Sequence, residues 1–529
     1  MSRRAAWIVL TLLVIIRLPS LVQPSGADQD LYAYVGQEIA RGGLPYLDAW
    51  DQKPPAVHYT YAVMYGVWPR PAVVAATDLL AALAVALLLL ALERRLTARA
   101  GWAAAAIFLL LGNPAYSRLG GMWLRAQCET FIAVAVTAVM LCVYNAAHPQ
   151  AAPRWRTWAW RLGAGALVGL AAAYKYNAAA YALAALAGSA AWRRQAFAPG
   201  WRRETLLDAA GMAAGAALPL GMLAIRFAAA GAWGDLWDAT ITYNMLYSGE
   251  TYGSLANVVR YALTFPIRQA RVDGLWLLGG AGCLVLLTRI RRDPHAAVAV
   301  AWVGAACLSI LINGSRGLPQ YFVQANPPLA LAAALGAWTL ARGAKRPWVP
   351  ALAAAVALLA LARVVPARKA VESTWLDVRR AAGAEPRDRY LARFGGLRVT
   401  DKHVPAAVER LGRYLEQHSA PSDTVYICGF SQGALVQSGR RSASRFFWSR
   451  PLVVGFNEGR DRYGAAGLLA DLRARRPAVV VLQANDWQLE GTDSAAYFLG
   501  QPGLVSWLEA GYERQPDRDA FQIWLRRPM

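Results

Sequence analysis

GADQDLYAYVGQEIARGGLPYLDAWDQKPP, Gly26–Pro55, begins as soon as the first apolar run of the chain ends, and it carries five acidic residues, three tyrosines and a Lys-Pro-Pro. The run before it, MSRRAAWIVLTLLVIIRLPS at 1–20, is too long for the apolar core of a secretory signal, and no small-x-small cleavage site follows. It reads as a retained first helix, so the quoted stretch is a loop that emerges from a membrane. Asp28 and Asp30 stand at its start, and Lys53 is held between Asp51 and Pro54. A carboxylate and a cation on one outer surface suit the activation of a hydroxyl beside a phosphate. VGQEIARGG reads as a short amphipathic helix ended by glycine, of the kind that lies on a membrane surface. LPYLDAWDQKPP reads as an extended segment, because residues before proline avoid the helical region.

Working outward, the chain has 529 residues, of which 57% are hydrophobic and only 17% charged, and its mean hydropathy is +0.27. Several apolar runs approach the length that spans a bilayer core, which makes this a polytopic membrane protein. The net charge of +22 does not point to nucleic acid, since the arginines stand at the ends of apolar runs, where the positive-inside rule places them. Arg3 and Arg4 begin the inside series. Arg94, Arg95 and Arg99, then Arg154, Arg156 and Arg161, then Arg193, Arg194, Arg202 and Arg203 continue it, followed by Arg289, Arg291 and Arg292 and by Arg342, Lys345 and Arg346. About 11 transmembrane helices satisfy every cluster, with the C-terminus outside.

The expected spans run roughly over 5–22, 72–92, 100–112, 126–145, 162–174, 177–192, 209–230, 274–288, 296–312, 321–341 and 348–366. Four of these are shorter than the ~20 residues a full crossing needs, which implies helices broken around a cavity. The outer face then receives long loops at 23–71 and 231–273. The five cysteines show neither a metal-ligand spacing nor a disulfide framework, and no repeat of fixed period is evident.

From about residue 367 charged and turn residues become frequent and apolar runs shrink to strand length. VPAAVERLGRYLEQH (404–418) has helical periodicity, TVYICGF and PAVVVLQ read as buried strands, and DAFQIWLRR as a last strand. A small extracytoplasmic α/β domain over 367–529 is expected, after a membrane domain over 1–366. GFSQG, Gly429–Gly433, matches the nucleophile elbow of hydrolases and follows a strand. That motif needs an acid and then a histidine after the serine, whereas all five histidines (58, 148, 295, 403 and 418) precede Ser431. A glycine-rich strand-to-loop turn is the better reading.

A membrane helix, Asp28 and Tyr32 in a D-x-x-x-Y spacing, a helix ending in Gly-Gly, LPYLDAWDQKPP and a run of spans together resemble the bacterial GT-C glycosyltransferases. That group includes the protein O-mannosyltransferase-like enzymes, the rhizobial lipopolysaccharide glycosyltransferases and the aminoarabinose transferase of lipid A. RAQCETF (125–131), GLAAAYKYNAAA (169–180) and GSRGLPQYFVQANPPLALAAALG (314–336) resemble further family segments, and so does the tail segment TVYICGFSQGALVQSGRRSASRFF. The resemblance implies a multispan fold and transfer of a sugar from a polyprenyl-phosphate-linked donor to a lipid, glycan or protein acceptor at the outer face of the bacterial cytoplasmic membrane. Asp28 matches the catalytic aspartate. The next position, commonly Glu in the family, is Gln29 here, so no cofactor is fixed and a divalent metal is left open. Lys53 and Tyr321 match residues expected at the donor phosphate, and Arg316 is a further candidate there. Glu129 and Lys175 resemble polar residues of the same cavity.

Other readings stand beside these. Asp48 and Asp51 also suit the capping of turns or pairing with Lys53, and Asp30 also suits a solvated loop. Glu129 also suits a helix end at the interface, while Lys175 at membrane depth must face polar surroundings. A membrane transporter would place paired acids at mid-membrane, whereas here they gather in an outer loop. A non-catalytic envelope assembly protein would work through its tail.

Overall fold

The computed structural model describes residues 3–97, 102–148, 153–196, 200–346, 348–395, 403–487 and 491–528. Arg99 and the start of the span expected at 100–112 lie outside the described residues. Two compact units result. One, the span unit, holds residues 1–21, 75–230 and 245–375; the other, the loop-and-tail unit, holds 22–74, 231–244 and 376–529.

Within the described residues, five helices are long and apolar enough to cross a membrane: Arg3–Val22, Ala72–Thr97, Cys128–Ala147, Trp201–Ala229 and Pro294–Ile312. Two bent pairs raise the number to seven, among them Leu255–Ala270 with Gly274–Leu287, which meet at 114°. Helices also stand at the other expected spans, at Ala103–Leu111, Arg154–Tyr174, Tyr181–Ala196 and Asn326–Gly343. Arg154–Tyr174 stops at Lys175, whose extended backbone (φ −155°, ψ 129°) leads into a 3-10 turn, Tyr176–Ala180, before the next helix begins. The two short spans expected there are thus separated by a break in the helix.

The span unit is packed through small residues. Arg154–Tyr174 and Trp201–Ala229 carry reciprocal Gly-x-x-x-Gly pairs, Gly165 with Gly169 and Gly211 with Gly215. A Cβ on Gly165 would come within 2.1 Å of the Met212 carbonyl, and one on Gly215 within 2.1 Å of the Leu162 carbonyl. Close backbone approach of this kind is how helices associate where lipid removes the hydrophobic driving force. Not every arginine marks topology alone. Arg161 Nε and Arg193 Nε lie 2.6 and 2.5 Å from the two oxygens of Asp208, and all three side chains are buried. Each charge in this cluster faces an opposite one, as burial demands.

The loop-and-tail unit is built on a five-stranded sheet: β1 Thr424–Cys428, β2 Arg441–Ser442, β3 Val479–Gln483, β4 Tyr512–Arg514 and β5 Phe521–Arg526. Their order is β2-β1-β3-β5-β4, with β1 parallel to β2 and β3 and with β5 antiparallel to β3 and β4. TVYIC and VVVLQ form the buried centre because they are continuous apolar runs that face packing on both sides. The helix expected at 404–418 is Pro405–Gln417, and it buries Val408, Leu411 and Leu415.

Candidate active site

In the loop-and-tail unit the chain turns helical at Ala27 rather than within VGQEIARGG, and the helix runs to Ala40. It is not a surface helix. Leu31, Tyr32, Ala33, Tyr34 and Val35 are all buried, so its apolar residues serve a protein core on several sides instead of a lipid face. Asp28 and Asp30 both fall in the first turn, where the orphan N–H groups and the helix dipole stabilise negative charge.

The two acids have different surroundings. Asp28 is half-buried, whereas Asp30 is buried. The Asp30 carboxyl accepts a hydrogen bond from Ser25 Oγ and lies 4.0 Å from His403 Nε2. Burial pushes it up to about 7, with the Ser25 hydrogen bond opposing. Burial likewise pushes His403 down to about 4, so the imidazole is neutral near pH 7. A Cβ on Gly433 would come within 2.3 Å of Asp30 Oδ2, and Gly433 therefore provides the room in which Asp30 packs.

GFSQG now has a structural account. Gly429 is glycine because a Cβ there would come within 2.5 Å of Gln483 Oε1. The same oxygen accepts from Phe430 N–H and from Ser431 Oγ, each at 2.8 Å. Ser431 is 1% exposed and its hydroxyl is spent on a glutamine. The turn leads from β1 into a short helix, Gly433–Ser438, and is tied to the end of β3 through Gln483.

Lys53 is positioned by backbone contacts that sequence reading did not foresee. Tyr46 OH donates to the Lys53 carbonyl at 2.7 Å, and Asn244 Nδ2 to the Gln52 carbonyl at 2.6 Å. Trp50 is fully buried among Tyr243, Trp448 and Phe456, with ring centroids 5.0, 6.0 and 5.8 Å away. Its backbone N–H donates to the Arg445 carbonyl at 2.8 Å, and its own carbonyl accepts from Trp448 Nε1 at 2.8 Å. DAWDQKPP is thereby clamped on both sides. Asp48 accepts from Leu44 N–H at 2.8 Å and so closes a turn.

Asp51 is the link between the two candidate groups. It is 1% exposed, with Oδ1 accepting from Gln52 N–H at 2.7 Å and Oδ2 3.4 Å from His58 Nε2. Burial pushes its carboxyl up to about 6; Lys53 pulls it back by charge attraction and Asp28 adds a smaller push by repulsion. Asp28 and Lys53 are thus both electrostatic neighbours of one buried carboxylate. His58, fully buried, is pushed down to about 3. No signal in the sequence pointed to its pairing with Asp51.

The remaining candidates belong to the span unit. Lys175 Nζ lies 2.5 Å from Glu129 Oε1 and 4.3 Å from the centre of the Tyr321 ring, and all three residues are buried. Glu129 stands in the first turn of Cys128–Ala147, Lys175 at the helix break, and Tyr321 in the 3-10 turn Pro319–Ala325. That turn is held by Gln324, whose Oε1 accepts from Ser309 Oγ at 2.7 Å. Arg316 is exposed, its guanidinium 3.8 Å above the Tyr247 ring. Among the described residues no group of three His, Cys, Asp or Glu side chains is placed to hold a metal ion. Gln29 places a carboxamide, not an acid, between Asp28 and Asp30 in the first turn.

The apolar helices describe a multi-pass membrane protein. No protein-family model matches the chain and no curated protein matches it, but solved structures do. ArnT from Cupriavidus metallidurans bound to undecaprenyl phosphate is 16% identical with a TM-score of 0.55, over 99% of this chain and 98% of that one. Its apo form gives a TM-score of 0.56 at the same identity and coverage. The Archaeoglobus fulgidus oligosaccharyltransferase tethered with an acceptor peptide is 12% identical with a TM-score of 0.51, over 100% of this chain and 74% of that one. At such identities the likeness is one of fold.

Proposed function

We propose that the chain transfers a sugar from a polyprenyl-phosphate-linked donor to a lipid, glycan or protein acceptor at the outer face of the cytoplasmic membrane, with its tail domain extracytoplasmic. The observation that supports this reading is that Asp28, at a helix N-terminus, and Lys53, on a clamped proline segment, both act by charge on the buried Asp51 carboxylate. The fold shared with ArnT, solved with undecaprenyl phosphate, supports it.

In the transfer, the acceptor oxygen attacks the anomeric carbon while Asp28 takes its proton. The bond between that carbon and the phosphate oxygen breaks, and the electron pair leaves on polyprenyl phosphate. The Lys53 ammonium stabilises that growing charge, a contribution that typically amounts to a few kcal/mol where water is excluded. Asp51 holds Lys53 by charge and, being buried beside a neutral His58, is unsuited to exchange protons with an acceptor in solvent. Glu129, Lys175 and Tyr321 are proposed as polar lining of the donor cavity, and Arg316 as an outer contact to its phosphate. No nucleotide is needed, because the driving energy lies in the lipid-linked donor.

Purified Lys53→Ala protein tests the assignment. Donor binding and turnover should both fall, since the ammonium meets the phosphate before reaction begins. Unchanged donor affinity in folded protein would remove Lys53 from the site. Reporter fusions placing residue 529 in the cytoplasm would overturn the topology.

A further inference from the structure

The span unit holds a half-open cavity of about 330 Å³ that none of Glu129, Lys175, Arg316 or Tyr321 lines. Its charged walls are Arg17, Asp78, Arg118 and Asp273, and Val85 and Phe108 belong to its apolar side. Both carboxylates are already engaged. Asp78 accepts from Ala126 N–H at 3.2 Å and faces Arg125 Nη1 at 3.4 Å. Asp273 caps the following helix, accepting from the N–H groups of Leu275 and Trp276 at 2.8 and 3.2 Å.

Arg17 is different. It is 4% exposed, its Nη2 donates to the Leu109 carbonyl at 2.9 Å, and its buried Nε has no hydrogen-bond partner. Among the described residues no carboxylate lies within 4 Å of its nitrogens, in contrast to the buried Arg161 and Arg193. Asp78 reaches Arg17 by charge but is shared with Arg125; a buried guanidinium whose acid is shared has room for a further anion, and its planar fork matches two phosphate oxygens.

We propose that this cavity binds the phosphodiester head group of a bilayer phospholipid, with the phosphate on Arg17 and the glycerol end along the apolar side. The cavity shares the turn Pro319–Ala325 with Tyr321 but is lined by none of the proposed sugar-transfer residues, and its assignment does not depend on that reading. Water could accept the open N–H and a free anion could meet the charge, but neither accounts for the apolar wall that accompanies it.

The full-length protein, stripped of lipid in detergent, is titrated with phosphatidylglycerol and read by native mass spectrometry, beside Arg17→Met and Arg17→Lys. Wild type should hold one more tightly bound phosphatidylglycerol than Arg17→Met, with affinity in that variant lower by roughly tenfold or more, the usual effect of losing a charge-assisted hydrogen bond. Arg17→Lys keeps the charge without the fork, so it should fold as wild type does and bind with intermediate affinity. In a parallel arm inorganic phosphate replaces the lipid and the unfolding temperature is read. Stabilisation of wild type by inorganic phosphate, absent from Arg17→Met, would reassign the cavity to a free anion. Equal phosphatidylglycerol affinity in wild type and Arg17→Lys, or in wild type and folded Arg17→Met, would overturn the proposal.

Discussion

Removing either partner of the Lys175–Glu129 pair should destabilise the span unit more than removing both. The side chains are 7% and 1% exposed, their charges are 2.5 Å apart, and the Tyr321 ring covers the ammonium. Taking away one member of such a pair leaves an uncompensated buried charge, at about 3–5 kcal/mol. For Lys175→Met the lost contact with Tyr321 adds about 0.5–2 kcal/mol. The double variant Glu129→Gln/Lys175→Met leaves no charge, and neutral replacement of buried pairs is often tolerated. Its stability should return to within about 2 kcal/mol of wild type. The assay is denaturant unfolding of purified protein in mixed micelles as a double-mutant cycle, paired with transfer activity. Stability should recover in the double variant while activity does not, because lining the cavity needs the charges and folding does not. Additive losses of stability would refute the coupling, and full activity in the double variant would make the pair purely structural.

The other expectations concern the loop-and-tail unit. Ser431→Ala should leave turnover unchanged and cost about 1 kcal/mol of stability for its hydrogen bond to Gln483; labelling of Ser431 by a serine-reactive phosphonate would contradict this. Because burial raises Asp30 to about 7, the folded state binds a proton that the unfolded state releases near pH 4. Asp30 should therefore contribute a loss of about 1 kcal/mol between pH 6 and 8, read as the difference in pH slope between wild type and Asp30→Asn. Tyr65, which also faces Asp30, titrates above this window, whereas His403, pushed down from its ordinary 6.5, contributes in the opposite sense and is common to both proteins. A slope unchanged in Asp30→Asn would place the titrating group elsewhere. Trp50→Ala should lose about 3–5 kcal/mol and expose 44–55 to proteolysis; a protease-resistant variant would show that the aromatic clamp does not hold the segment.

What could be read from the sequence was local. Apolar runs of helical length became helices, TVYIC and VVVLQ became the sheet centre, and a serine with no histidine after it proved to be spent on Gln483. What could not be read was long-range pairing. Glu129 and Lys175 are 46 residues apart, and each alone is one polar residue in an apolar stretch. Arg161 and Arg193 looked like topology marks until Asp208 was found between them. The surface helix expected at VGQEIARGG proved to be a buried one, because the apolar pattern of one segment cannot show that other segments cover its polar side. The reciprocal Gly-x-x-x-Gly pairs were visible in the letters and went unused; they give the contact between two helices directly.

The central claim is that Asp28 removes the acceptor's proton in transfer from a lipid-phosphate donor. Its most direct test is the release of polyprenyl phosphate by purified wild-type and Asp28→Asn protein given a polyprenyl-phosphate sugar and acceptor. Asp28→Asn keeps the shape of the side chain and loses the base, so turnover should fall by roughly 10²- to 10⁴-fold while donor binding survives. Near-normal release by folded Asp28→Asn would contradict the account.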